Sequence, residues 1–188
     1  MPSDTVANVT RAAHDVGLAS WLGGSMFGKF ALNPAVRVLD DTADRGKVVN
    51  AAWNGYNVVN GVGLGAASAG WVAARLTETR PDKLTGTERG LSTAKDALMA
   101  LAVATGVANG VQGARLARQA PKGAVPMESG TEPTTSTPDK AAALQRSIGA
   151  IGNANILIGV ALVATNGVLA QFDHSRPPLK RALLRRGS

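Results

Sequence analysis

Two long stretches of this chain carry no charge at all, and no other feature limits its fold so sharply. Val48 to Ala74 lies between Lys47 and Arg75, and Ser147 to Phe172 lies between Arg146 and Asp173. A shorter run, Ala97 to Ala114, is bracketed by Asp96 and Arg115. A fourth begins at Val16, meets Lys29 and ends near Val38. A membrane helix needs about 20 mostly apolar residues to cross about 30 Å of hydrocarbon. The first two runs exceed that length and the third reaches its lower edge. The fourth qualifies only if Lys29 snorkels or lies at an end. A soluble amphipathic helix of such length returns a charge to its wet face every turn or two. Val48 to Ala74 returns none.

The runs predict an all-α fold: an integral membrane bundle of about four transmembrane helices, near 14–38, 47–75, 92–118 and 141–172, in one membrane domain over 1–175. The lipid bilayer is then the first partner. The mean hydropathy of only +0.03 keeps a soluble helical bundle open, because the runs are rich in Ala, Gly and Asn rather than Leu, Ile and Phe. Trp53 and Trp71 are 18 residues apart, about 27 Å along a helix axis. That spacing places them at the two membrane interfaces, where Trp concentrates.

Cysteine is absent, so there is no disulfide framework, thiolate metal site or cysteine nucleophile. No cleavable leader is evident before the first run, which is expected to remain as an anchor. The net charge of +7 raises nucleic acid as a partner, but the basic residues sit at the edges of the apolar runs and near the carboxyl terminus, which disfavours that class. They suit the positive-inside rule instead. With the amino terminus inside, eleven Lys and Arg fall inside and nine outside. The cluster Arg176, Lys180, Arg181, Arg185 and Arg186 tips the balance toward a multi-pass protein of the plasma (inner) membrane with both termini in the cytoplasm.

The segment 119–139, QAPKGAVPMESGTEPTTSTPD, has almost no large apolar residue and is expected to be a flexible loop. The basic tail, 176–188, reads either as a disordered segment or as an amphipathic turn on an anionic surface. Arg80-Pro81 and Asn33-Pro34 mark turns or helix ends.

Small residues recur four apart: Gly24 and Gly28, Gly61 and Gly65, Ala66 and Gly70, Gly106 and Gly110, Ala150 and Ala154. In lipid, such pairs let helix backbones approach. They suit association within the bundle, in a homo-oligomer or in a larger membrane complex. Amides form a second pattern. Asn50, Asn54 and Asn57 share one helical face, which Gly61, Gly65 and Ser68 continue. Asn155, Gly159 and Asn166 share another, and Asn109 and Gln112 are three apart. Amides in a bilayer need partners. They find them either across helices or in a polar groove for a small ligand, a lipid headgroup or water. The groove reading names Asn54, Asn57, Asn109 and Asn155 as its ligand-binding residues. Asn57 to Leu64 also aligns with Asn155 to Leu162, an internal repeat that would relate two helical hairpins.

Few residues suggest chemistry. His14-Asp15 and Asp173-His174 stand at the start of the first run and the end of the fourth, and would meet on one side of the bundle. Two His and two Asp are a weak candidate for a nitrogen-and-oxygen metal site or a proton relay, against an ordinary polar helix boundary. Asp96 suits a helix amino terminus. There is no phosphate loop, no GxSxG, no HExxH and no zinc spacing, so no cofactor is indicated and an enzyme has no support. The stretch HDVGLASWLGGSMFGKFALNPAV, followed by small-residue apolar runs, resembles uncharacterised small multi-helix membrane proteins of high-GC Gram-positive bacteria. The resemblance implies the bundle and no activity.

Three functions remain: a structural or accessory membrane protein, which predicts a tight bundle; a small transporter or ligand-binding protein, which predicts an Asn-lined cavity; and a soluble bundle.

Overall fold

The computed structural model describes residues 4–174, and they are all-helical. Four long helices dominate: α1 (Asp4–Phe27), α2 (Thr42–Thr77), α3 (Gly86–Ala117) and α4 (Asp139–His174). Each begins several residues before its charge-free run, because capping chemistry rather than hydropathy sets the start. At α2 the Asp41 carboxylate accepts from the amides of Ala43 (2.6 Å) and Asp44 (3.1 Å). At α3, Thr85 and Glu88 form a reciprocal capping box. Asp96, expected at a helix start, is therefore well inside α3.

α1 does not end cleanly. It passes into a π-helical turn, Gly28–Leu32, closed by the Asn33 amide donating to Gly28 O. Pro34 has no amide proton to continue the ladder, and the chain leaves through a short 3-10 turn, Val36–Val38.

The helices run up, down, up, down. α1 lies along α2, α3 lies along α4, and the two hairpins meet chiefly through α1 and α4. Of the four pairs of neighbouring helices, α2 and α3 touch least. One apolar core, built around Leu18, Trp21, Ala67, Trp71, Met99 and Leu162, draws on all four helices. The α1–α2 contact is backbone against backbone. A Cβ on Gly63 would lie 2.9 Å from Gly17 O, and one on Gly70 would lie 2.6 Å from Thr10 O. Gly24 and Gly28 likewise make room for Tyr56 and Trp53. Small residues thus hold this pair together, as their spacing predicts, but Gly61, Gly65 and Gly110 do not: nothing lies within 4 Å of a Cβ built on any of them.

Other expectations change. The 119–139 segment folds back onto the bundle as a strap. Val125 and Met127 are buried, Met127 N–H donates to Thr42 O (3.2 Å), and Gly130 N–H donates to Asn33 O (3.4 Å). Two buried apolar side chains, the buried hydroxyls of Ser129 and Thr137 and a set of backbone hydrogen bonds order it where composition suggested a free loop. Trp71 is buried in the core and Trp53 faces the interior, so the 18-residue spacing does not mark two interfaces. The basic tail lies outside the described residues.

Gly86–Ala117 and Asp139–Phe172 are long and apolar enough to cross a membrane, with mean hydropathies of 1.3 and 1.8. α1 and α2 are long enough, but Gly, Ser and Asn dilute them. Valine and leucine side chains nonetheless face outward along all four helices, among them Val16, Val58, Val62, Leu101, Val111 and Leu157.

Candidate binding cavity

Because α2 and α3 part toward the strap, they leave a cavity of about 730 Å³ between the hairpins. Asn54, Asn57, Asn109 and Asn155, the four amides singled out from the sequence, all line it. One stripe of α2 supplies a wall, with Asn50, Asn54, Asn57, Gly61, Gly65 and Ser68 in register at steps of three and four. α3 contributes Asn109 among Gly106, Gly110 and Gly113, and α4 contributes Asn155 beside Gly152. The strap closes the end through Gly123, Val125 and Met127. The glycines define the space by what they lack: at Gly61, Gly65, Gly110, Gly113 and Gly152 an added Cβ meets nothing within 4 Å.

Depth sorts the amides. Asn54 and Asn57 sit exposed at the lip, Asn109 lies partly buried, and Asn155 is 3% exposed at the floor. Two further residues complete the set. Asn60 comes from α2 and Asn33, 7% exposed, follows the π-helical turn. The amide oxygens of Asn33, Asn60, Asn109 and Asn155 are buried without a hydrogen-bond partner.

Lys29 is the one ionisable residue in the lining. Its place follows from the π-helical turn, which sets Lys29 and Asn33 on one side of the chain. It makes no ion pair among the described residues. Sequence reasoning assigned Lys29 to the lipid boundary and read Asn33 as a helix end, because a π-turn has no signature in residue spacing. Asn60 was missed because it lies one residue off the i, i+4, i+7 stripe.

The opposite end holds a different polar cluster. Lys95, only 1% exposed, donates from Nζ to Asn166 Oδ1 (2.6 Å) and lies 4.1 Å from the centre of the Trp71 ring. Asn166 donates in turn to Asp15 Oδ1 (2.9 Å). Trp71 Nε1 donates to Asp96 (2.8 Å), which also pairs with Arg75 (3.0 Å). Lys95 stands just ahead of the third charge-free run, and the early start of α3 carries it into the bundle.

The His14–Asp15 pair separates. His14 is buried, with Nδ1 2.5 Å from Ala67 O, while Asp15 faces out to Asn166. The side chains of Asp173 and His174 lie outside the described residues. Among the described residues no three His, Cys, Asp or Glu groups gather in a metal-binding arrangement. Gly159 packs on Leu22 whereas Gly61 opens to the cavity, so the positions matched in the internal alignment differ in role.

Comparison with protein-family models, curated proteins and solved structures gives no match.

Proposed function

We propose that this chain is a four-span membrane protein that binds a small polar ligand in the cavity between α2 and α3. The observation that carries it is the inverted radial polarity of the bundle. Exposed valines and leucines run along the outside of all four helices, while asparagines from α2, α3, α4 and the turn after α1 line an interior space. In lipid an outward apolar surface has no cost, and an interior polar group must find a partner. A ligand or ordered water is the partner that the cavity leaves room for.

This reading takes precedence over an accessory role. The close glycine contacts of α1 and α2 are internal, and of the glycines along the α2–α3 seam Gly106 packs on Leu64 while Gly61, Gly65, Gly110 and Gly113 open onto space. The two-hairpin order sets both ends of the described chain on one side. Lys and Arg stand at both ends of the bundle, and the basic cluster Arg176, Lys180, Arg181, Arg185 and Arg186 is what favours the cytoplasmic face of the plasma membrane for the termini.

The chain has no cysteine, so single cysteines test it without background. In proteoliposomes, Asn57→Cys at the cavity lip should react with a water-soluble maleimide. Val58→Cys, at a position 69% exposed on the outer face, should stay protected until detergent is added. Equal labelling of both without detergent would show a water-washed outer face and sink the proposal.

A further inference from the structure

We infer that the protein has a second binding site, for a phosphate group: a basic groove between the end of α3 and the start of α4, in which Arg115, Arg118 and Lys140 converge. The groove shares no lining residue with the asparagine cavity and does not depend on what that cavity holds.

The groove measures about 610 Å³. The last turn of α3 and the residues just after it supply Arg115, Arg118 and Gln119, and α4 supplies Lys140, Ala143 and Ser147. No carboxylate among the described residues lines it. Elsewhere the cations of this chain find carboxylates: Arg11, Arg37, Arg45, Lys47, Arg75 and Arg80 each form an ion pair. Among the described residues, Arg115, Arg118 and Lys140 form none.

Helix electrostatics account for only part of this. Arg115 and Arg118 suit the carboxyl terminus of α3, where the dipole favours cations. Lys140 is the second residue of α4, at the end where a cation is disfavoured. Arg115 and Arg118 are three apart and so are neighbours on one face, and Lys140 adds a third charge across the groove. Like charges around one hollow repel, and the chain sets no countercharge among them. Asp139 stands in the first turn of α4 but does not line the groove.

The number of cations points to the kind of anion. Arginine holds oxyanions through a planar fork, and lysine holds them as a point charge. A carboxylate has two oxygens in one plane. A phosphate group presents its oxygens around a tetrahedral centre, enough for two arginines and a lysine, and the Ser147 hydroxyl is a further donor on the same lining. All three cations are exposed, so the groove is open to an entering anion. It also lies at the edge of two charge-free runs: Arg115 follows Ala97 to Ala114, and Ser147 begins the run to Phe172. In the membrane reading that is the level of the headgroups, so a lipid headgroup and free phosphate are both sources of the group.

The test titrates the full chain in nonionic detergent with inorganic phosphate and, separately, with phosphatidic acid in mixed micelles, at fixed ionic strength, with binding read by calorimetry. Saturable binding is expected. Arg115→Gln, Arg118→Gln and Lys140→Gln together should lower affinity at least about tenfold, the worth of one charge-assisted hydrogen bond. Arg11→Gln, Arg80→Gln and Arg89→Gln together remove the same charge from exposed positions at the opposite end of the bundle. They should change affinity less than about twofold, because screening removes charge effects over that distance. Ala143→Glu, at an exposed position in the lining, sets a carboxylate among the cations and should abolish binding with all three still present. Phosphatidic acid that stays bound in excess phosphate identifies the lipid headgroup as the source, and displacement by phosphate identifies the free ion; either supports the site. Equal losses in the two triple variants show diffuse positive charge and overturn it, as does the absence of saturable binding. Competition by acetate as strong as that by phosphate overturns the assignment of the anion.

Discussion

At the scale of single residues, the glycines fall into two populations that spacing cannot separate. Gly17, Gly63 and Gly70 hold backbones in contact, whereas Gly61, Gly65 and Gly110 face empty space. Gly61→Ala and Gly110→Ala are therefore expected to raise stability by about 0.5–1 kcal/mol each through helix propensity. Gly17→Ala and Gly70→Ala meet backbone atoms that cannot swing aside and should lower it by about 1–3 kcal/mol. Denaturant unfolding in detergent micelles separates the signs, and a uniform response at all four positions would contradict the assignment. The asparagines divide similarly. Asn166 is committed to Lys95 and Asp15, so Asn166→Leu strands a buried ammonium and is expected to cost about 1–3 kcal/mol in the same assay. Asn155→Leu removes an acceptor that already lacks a donor. It should leave stability equal or higher while reducing ligand retention. Both residues lay on the one face recognised in the sequence. What that face could not reveal is that one end of it meets a lysine and the other a void.

At the scale of elements, the long helices were legible because charge is excluded from the middle of α2 and α4 and from the carboxyl-terminal halves of α1 and α3, and Pro, Gly and caps punctuate their ends. The strap was not, since Val125 and Met127 are too few to register in composition, and their burial depends on distant partners: Leu116 and Ala141 for Val125, and Val36 and Val49 for Met127. Its attachment is partly electrostatic. Arg45 pairs with Glu128 (3.0 Å) and Arg37 with Glu132. The Ser129 hydroxyl, then the Arg37 guanidinium, hold the Glu132 carboxyl below its ordinary value of 4.5. At the start of α2, the amides of Asp44 and Ala43 hold Asp41 below its ordinary 3.8. Both folded values are depressed. Each carboxylate thus contributes fully above its ordinary value and loses that contribution as pH falls below it, through the folded value. The strap should therefore stay protected at neutral pH and become open to pepsin cleavage within 119–138 as pH drops below about 4.5. Glu132→Gln should flatten that dependence. Cleavage independent of pH between 5 and 3 would count against the tether.

At the scale of the whole molecule, the exposed valines and leucines of all four helices set the expectation for handling. The expressed protein should resist carbonate washing and leave membranes only with detergent. Release by carbonate would return the chain to the class of soluble bundles. Sequence hydropathy understates this surface in α1 and α2, because an average over a helix mixes an apolar outside with the asparagines and glycines that line the inside. The four cavity amides were legible for the converse reason: their periodicity sets them on one side of each helix, whatever the average.

The uneven joining of the two hairpins has a mechanical consequence. α1 and α4 meet as the spine of a book, with α2 and α3 as its covers and the strap as a clasp across the fore-edge. Widening the covers breaks fewer contacts than parting the spine. The softest motion available to the fold is therefore a change in the angle between the covers, and that angle sets how much room the amides enclose. A nitroxide pair at Gly65 and Gly113, placed without competing thiols, would read it directly.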